Sequence, residues 1–137
     1  MGKDALLAIR REIQAEQAAS LGRCGRKLQR ALRLCARLER DIRAAEERLA
    51  RPAVPAGFNG YVEPREEQQR RLRRLIERFN ASQAEAARQH YYLIVQREAI
   101  GFRSHREVEH CYEVPSPRAS RFLDTAPAPD LVSPVAS

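Results

Sequence analysis

A regular spacing of small and apolar residues runs from residue 21 to residue 49 of this 137-residue chain. These residues alternate at intervals of three and four, which are the a and d positions of a heptad repeat sustained over about four heptads. The spacing predicts a long amphipathic helix whose apolar face packs on another helix, as in a coiled coil. This face, the seam, consists of Leu21, Cys24, Leu28, Ala31, Cys35, Leu38, Ile42, Ala45 and Leu49.

The same helix continues toward the N-terminus after one shift of register. Three upstream apolar residues keep the spacing, but the step from Ile13 to Leu21 is eight residues, which indicates a four-residue stutter. Gly22 and Gly25 follow directly, and each glycine costs about 1 kcal/mol relative to alanine inside a helix. We therefore expect a kink, a break or a close backbone contact near residues 20–25.

Two proline-free segments predict two long helices. Residues 4–51 and 65–109 are rich in Ala, Leu, Arg, Glu and Gln, which favour helix, whereas the intervening residues 52–64 are dense in Pro and Gly and predict a loop. Residues 110–137 are rich in proline and lack periodicity, which predicts a flexible tail that is disordered when free. The predicted fold is therefore all-α, a coiled coil or antiparallel helical hairpin over residues 1–109 followed by a tail.

A hairpin of two helices buries one narrow seam and has no closed core, so a scaffold of this size usually needs a further source of burial. We therefore expect a homo-oligomer or a place in a larger assembly. The second helix has a weaker apolar pattern with alanines at its centre, at positions 81, 84, 86 and 87. These small residues either let another helix approach closely or simply favour helix formation.

Basic residues also recur at intervals of three and four along the first helix, mainly on the face opposite the seam. Most of the chain's net charge of +7 comes from residues 1–51, and no acidic residue occurs between Glu16 and Glu39. A solvated helix face usually mixes charges, because opposite charges one turn apart stabilise it and like charges repel. The pattern predicts docking on an acidic partner, unless it only solubilises the helix. This basic stripe comprises Arg23, Arg26, Lys27, Arg30, Arg33, Arg37 and Arg40.

The stripe favours a protein partner over a nucleic acid or a membrane. The first helix has no aromatic residue to stack on bases, and no zinc-finger, RNP or helix-turn-helix pattern accompanies the charge. A membrane-surface helix would carry bulky aromatic residues opposite the charge. We expect a non-catalytic adaptor or structural protein that binds an acidic protein surface, for example in a cytoskeletal assembly of the microtubule or axoneme type. A nucleic-acid-associated protein is the alternative.

The loop carries two aromatic residues around a turn signal. Asn59-Gly60 favours a tight turn and places Phe58 and Tyr61 on either side of it. Two interpretations stay open. Both rings pack on the helix ends as a small apolar plug, or they form an exposed anchor for a partner pocket.

Two further segments carry short patterns typical of partner binding. Residues 95–101, Val-Gln-Arg-Glu-Ala-Ile-Gly, partly resemble a calmodulin-binding IQ motif, although Ile100 and His105 stand where two basic residues are expected. The resemblance implies a calmodulin-type light chain as another alternative partner. In the tail, Phe122 and Leu123 are flanked by charges and form either a short linear peptide that orders on a partner or part of an inert tail.

We expect no catalytic residues, no metal and no cofactor. His105, His110 and Cys111 lie close together, but no Cys-x-x-Cys pair accompanies them, so a structural zinc site is not predicted. The sequence has no glycine-rich phosphate loop and no nucleophile elbow, and a rod of two helices offers little concavity for a reaction.

The expected location is intracellular, in the cytoplasm or on the cytoskeleton, with the nucleus as a further option. No apolar run approaches the ~20 residues of a membrane span, and we expect no such span. The charged N-terminus lacks the apolar stretch of a secretory signal. The three cysteines are odd in number and widely spaced, which does not suggest a disulfide framework.

Overall fold

Three α-helices form the fold in the computed structural model, which describes residues 2–123. α1 spans Lys3–Ala50, α2 spans Arg65–Ala99 and α3 spans Arg106–Cys111. At 1.5 Å per residue, the 48 residues of α1 extend about 72 Å and the 35 residues of α2 about 52 Å. α1 and α2 pack against each other, so the predicted all-α fold with two long helices is confirmed.

The face of α1 that packs on α2 is the seam. Eight of its nine residues, from Cys24 to Leu49, are buried, and Leu21 is partly buried at one end. α2 contributes Leu72, Ile76, Phe79, Ser82, Ala86 and Leu93 to the same interface. The partner helix of the seam therefore belongs to the same chain.

Two polar contacts across the interface show that the helices run antiparallel. The Cys24 thiol donates to the backbone carbonyl of Gln89 at 3.2 Å, and the hydroxyl of buried Ser82 donates to the carbonyl of Ala31 at 2.9 Å. Moving along α1 from Cys24 to Ala31 therefore corresponds to moving backwards along α2 from Gln89 to Ser82. Because each buried polar group has a partner, the interface does not carry the cost of an unsatisfied donor at either position.

The helices end where the local sequence prevents their continuation. Arg51 precedes Pro52, and the residue before a proline is disfavoured in helical conformation, so α1 ends at Ala50. The guanidinium of Arg65, the first residue of α2, donates to the carbonyl of Leu49 at 3.0 Å. This contact satisfies one of the free carbonyls at the end of α1 and ties the two ends of the loop together.

The tight turn of the loop lies three residues before the position that the sequence suggested. Gly57 has φ +91°, and the amide of Phe58 donates to the carbonyl of Pro55 at 3.3 Å. The turn is therefore centred on Ala56-Gly57 rather than on Asn59-Gly60. The physical reason is that the left-handed backbone conformation, which glycine adopts without strain, falls on Gly57.

α2 ends at Ala99 instead of continuing to residue 109. Gly101 has φ +103°, its amide donates to the carbonyl of Glu98 at 3.1 Å, and the amide of Phe102 donates to the carbonyl of Arg97 at 3.0 Å. These two bonds form a Schellman motif, the common helix end that a glycine makes possible. The Arg97 guanidinium also lies over the Phe102 ring, 4.4 Å from its centroid, and reinforces the turn.

After this turn the chain reverses and runs back along the hairpin. Val108 of α3 is buried between the helices, and Tyr112 packs beside it. Residues 112–123, which we call the strap, continue without helix, and Phe122 and Leu123 pack on the core formed by the other half of the seam. The strap is the first part of the segment predicted as a flexible tail. The remainder, residues 124–137, lies outside the described residues.

α3 and the strap provide part of the extra burial for which a partner was expected. α1 also runs unbroken through its two glycines. A Cβ on Gly25 would lie 3.9 Å from the Tyr112 hydroxyl, an ordinary van der Waals distance, so neither the expected break nor a close backbone contact is observed near residues 20–25. Residues 2–16 are exposed throughout, including the apolar side chains of Leu6, Leu7, Ile9 and Ile13.

Candidate functional site

All seven residues of the basic stripe are exposed. Six of them occupy heptad positions c and f, away from the seam, while Lys27 lies beside the seam. Within residues 2–123, none of the seven forms a salt bridge. The stripe is thus a continuous run of solvated positive charge along about 26 Å of helix, at 1.5 Å per residue.

Two acidic residues of α1 near the C-terminal end of the stripe lie beside the seam and have partners in the strap. Glu39 and Glu46 both contact the guanidinium of Arg118 in the strap. The contact with Glu39 is bidentate, with Nε–Oε1 and Nη2–Oε2 distances of 3.0 Å. The Nη2 atom of Arg118 also lies 2.8 Å from Oε1 of Glu46. These two carboxylates therefore pair with the strap rather than with the stripe, whereas Asp41, next to Arg40, is exposed and forms no salt bridge within residues 2–123.

The side chain of Asn80 forms two hydrogen bonds with the backbone of the strap. Its amide nitrogen donates to the carbonyl of Arg118 at 3.1 Å, and its oxygen accepts from the amide of Arg118 at 2.7 Å. Gln69, three turns earlier on α2, donates to the carbonyl of Phe122 at 3.1 Å. An extended segment leaves its backbone groups free for such contacts, whereas a helix would use them internally.

The carboxylate of Glu46 is held in its charged form by the strap. Burial opposes its ionisation, but the hydroxyl of Ser120 donates to it at 2.7 Å and Arg118 contacts it as well, and together they hold the pKa of Glu46 below its usual value. The same pairing raises the pKa of Arg118. The strap is therefore fixed by charge-assisted hydrogen bonds, which are stronger than neutral ones.

The strap follows one column of residues on α1. Gly25, Leu32, Glu39 and Glu46 are spaced by seven, so they lie in line beside the seam. Successive parts of the strap meet this column, from Tyr112 near Gly25 to Ser120 at Glu46. An extended chain advances about 3.3 Å per residue against 1.5 Å for a helix, so a short segment covers three heptads.

The opposite side of the hairpin presents an uncovered groove between α1 and α2, which we call the open groove. It has a volume of about 630 Å³. Its lining comes from two turns of each helix: Lys27, Arg30, Ala31 and Leu34 of α1, and Arg78, Ala81, Ser82 and Glu85 of α2. Two residues of the stripe thus also border a surface that contains apolar side chains.

The docking of the strap on its own hairpin was not predicted from the sequence. Phe122 and Leu123 were considered as a peptide for a partner, and the structure places them against residues of the same chain. One signal was present in the sequence. Glu39 and Glu46 are seven residues apart on the first helix, so a single arginine in the tail can reach both of them.

The aromatic residues of the loop do not pack on the helix ends. Phe58 is 58% exposed and Tyr61 is 87% exposed. The ring of Phe58 lies against Gly60, where a Cβ would collide with it. The plug interpretation therefore does not describe the loop, and both rings are available at the surface.

The segment that resembles an IQ motif spans the end of α2. Its last helical residue is Ala99, and Gly101 belongs to the terminating turn. His105 lies beyond this turn, with its Nε2 3.1 Å from a carboxylate oxygen of Glu98. The seven residues therefore do not form a single helical face.

The described residues include free thiols but no candidate metal site. In residues 2–123, no group of three or more His, Cys, Asp or Glu side chains could hold a metal ion. Cys24 and Cys35 are buried free thiols, and burial raises the pKa of Cys24, although Lys27 opposes this effect. The thiolate is the reactive form, so Cys24 is a poor nucleophile.

None of the helices in the part of the chain that the structure describes is long and apolar enough to cross a membrane. No family model, no curated protein and no solved structure matches this chain.

Proposed function

We propose that this protein is a non-catalytic adaptor or structural protein that docks on an acidic protein surface through its basic stripe. The single observation that carries this proposal is the separation of charge on α1. The seven basic side chains of the stripe are exposed and form no salt bridge within residues 2–123, whereas Glu39 and Glu46 pair with Arg118 of the strap.

The electrostatic cost of the stripe supports a binding role. Like charges one turn apart on a helix destabilise it by a few tenths of a kcal/mol per pair, and the stripe contains several such pairs. An acidic partner removes this repulsion and gains from long-range attraction during the encounter. Because all of these side chains are exposed, the attraction is screened by salt and binding weakens as ionic strength rises.

A cytoskeletal assembly of the microtubule or axoneme type is the specific version of this proposal. The supporting argument is an analogy: α1 is a rod of about 72 Å that carries the stripe along about 26 Å of its length, and such a rod suits a filament with an acidic exterior. The exposed rings of Phe58 and Tyr61 offer a second contact at the far end of the hairpin.

A nucleic-acid-associated protein is the second candidate, and one observation favours it. Tyr91 and Tyr92 on α2 are exposed, with ring centroids 6.0 Å apart, and exposed aromatic rings can stack on bases. Against it, α1 itself carries no aromatic residue beside the stripe. A calmodulin-type partner has less support, because α2 ends inside the segment that it would bind.

A pull-down from nuclease-treated native cells tests the proposal. The bait variant reverses four charges of the stripe: Arg26, Arg30, Arg33 and Arg37 to Glu. A matched control reverses four exposed arginines elsewhere, so that net charge changes equally: Arg10, Arg11, Arg103 and Arg106 to Glu. Circular dichroism establishes that both variants keep the helicity of the wild type, and mass spectrometry identifies the bound proteins.

The proposal predicts a defined set of proteins that survives nuclease treatment, is retained by the control and is lost with the stripe variant. Partners that disappear on nuclease treatment alone would instead identify the stripe as a nucleic-acid contact. Equal loss with both variants would show that net charge, and not the stripe, determines binding.

A further inference from the structure

We infer that the open groove binds an acidic amphipathic helix of a partner protein. This inference rests on the proposed function and adds to it the position and the secondary structure of the partner. It assigns the contact to the side of α1 that faces Arg78 rather than to the outward face alone.

The floor of the open groove is apolar. Leu34 is only partly buried and packs on the core from this side, and Ala31 and Ala81 contribute small side chains. Leu75, one turn from Arg78 on α2, is likewise partly buried against the core. Incompletely covered apolar side chains gain free energy when a second apolar surface removes them from water.

The rim of the open groove is basic on both sides. Lys27 and Arg30 stand on α1, and Arg78 stands on α2. Glu85 is the one acidic residue in the lining, and Arg88 and Gln89 already bind its carboxylate. The groove therefore presents an apolar floor between cations, which matches a helix with an apolar stripe flanked by Asp and Glu.

The two sides of the hairpin carry charges of opposite sign. On one side, Glu39 and Glu46 receive the basic strap through Arg118. On the other side, the rim has the opposite charge, so charge complementarity calls for an acidic segment. A second copy of the chain is a poor occupant, because each copy carries a net charge of +7.

A helix fits the open groove better than an extended chain or a nucleic acid. Ala81 and Ala31 let a helix backbone approach closely, and a third helix would lie in the furrow between two antiparallel helices as in a helical bundle. Helix-in-groove recognition depends on apolar anchors one turn apart, which this floor accommodates. Nucleic acid would leave the apolar floor without a matching surface.

A designed peptide provides the test. The probe is a fluorescein-labelled helix of about 21 residues with Leu at a and d and Glu at e and g, and the control peptide has the same composition in an order that removes the apolar face. Binding to the full chain is measured by fluorescence anisotropy in about 0.15 M salt, where distant charges are screened.

Two pairs of variants locate the contact. Lys27→Glu with Arg78→Glu reverses charge across the groove, and Arg33→Glu with Arg40→Glu makes the same change on the outward face. Ala81→Arg fills the floor while adding positive charge, and Ala84→Arg adds the same charge to an exposed position outside the lining. Wild-type helicity in all four variants, measured by circular dichroism, establishes that their fold is intact.

We expect the groove reversal and Ala81→Arg each to weaken binding of the probe about tenfold or more, which is about 1.4 kcal/mol. The outward reversal should weaken it less than threefold or so, and Ala84→Arg should leave it unchanged or tighter. Ala81→Arg is decisive, because a purely electrostatic contact would become stronger.

Three results would overturn the inference. They are equal binding of the shuffled peptide, tighter binding by Ala81→Arg, and preferential binding of a short double-stranded DNA that is lost with the groove reversal. If the probe fails while the pull-down still depends on the stripe, the proposed function stands and only the groove assignment falls. If the pull-down also fails, both fall.

Discussion

Replacing Arg118 by alanine should destabilise the whole hairpin, although Arg118 lies outside both long helices. The guanidinium joins the strap to Glu39 and Glu46 of α1, so its loss removes two ion pairs at once. It also removes the anchor that keeps the backbone of Arg118 beside Asn80. The expected result is a lower free energy of unfolding.

The burial of the three side chains sets the size of the effect. Arg118 is 24% exposed, Glu39 is 26% exposed and Glu46 is 18% exposed. A fully exposed pair contributes 0.2–1 kcal/mol, and breaking a fully buried pair costs about 3–5 kcal/mol. These groups lie between the two limits and remain partly screened by solvent, so we expect a loss of about 2 kcal/mol.

Urea unfolding followed by circular dichroism measures this loss. With a denaturant slope of about 2 kcal/mol per M, the unfolding midpoint should fall by about 1 M. Thermal unfolding should give a decrease in Tm of about 8 °C for a domain of this size.

Arg43→Ala is the matched control. Arg43 also contacts Glu39, at 3.4 Å, but its side chain is 72% exposed and the pair lies within one helix. Its loss should therefore cost no more than about 0.5 kcal/mol. If both variants unfold at the same urea concentration, the strap does not stabilise the hairpin and the reasoning from burial is refuted.

Three further predictions concern pH, glycine and the seam. The pKa of Glu46 is below its ordinary value of 4.5, so its contribution to the free energy of unfolding is present above that value and is lost as pH falls through the native pKa. The wild type should therefore be more stable than Glu46→Gln near neutral pH, and this difference should shrink below pH 4.5 in urea titrations. Gly22→Ala should raise the unfolding free energy by about 0.5–1 kcal/mol, since this position is helical, whereas Gly101→Ala should lower it by about 1 kcal/mol, since φ there is +103°. Leu28→Asp with Leu38→Asp should abolish most of the helical circular dichroism signal, because both side chains are buried, while two charge reversals in the stripe should preserve it.

The hairpin was predictable because its main determinants are local. The heptad spacing fixes which face of α1 is apolar, and residues such as Leu28 and Leu38 follow from that spacing alone. The exposure of the stripe follows as well, since six of its residues occupy the opposite face. The Pro and Gly content of residues 52–64 was enough to separate the two helices.

The strap was not predictable from the same signals, because its contacts join residues that are distant in sequence. Arg118 and Glu39 are 79 positions apart, and Ser120 and Glu46 are 74 apart. A proline-rich segment has no periodicity to indicate a packed face. Only the surface on which it lies, formed after α1 and α2 pair, gives it an ordered conformation.

The end of α2 could have been predicted more accurately. Gly101 follows the last regular apolar residue, Ile100, and glycine at that place is a common sign of a helix end. The prediction of a helix up to residue 109 rested instead on the absence of proline before that residue. The absence of proline is not sufficient for a helix to continue, because a glycine can end the helix by adopting the left-handed conformation.

The central claim is that the outward face of α1 contacts an acidic protein. Site-specific photocrosslinking tests it directly. A photoreactive residue replaces Arg33 in the stripe or, as the control, Arg11 in the N-terminal part of α1. The crosslinked products from nuclease-treated cells are then sequenced by mass spectrometry. The account predicts that position 33 crosslinks to peptides rich in Asp and Glu and that position 11 does not. Crosslinks from position 33 to nucleic acid, or to peptides without acidic residues, would contradict it.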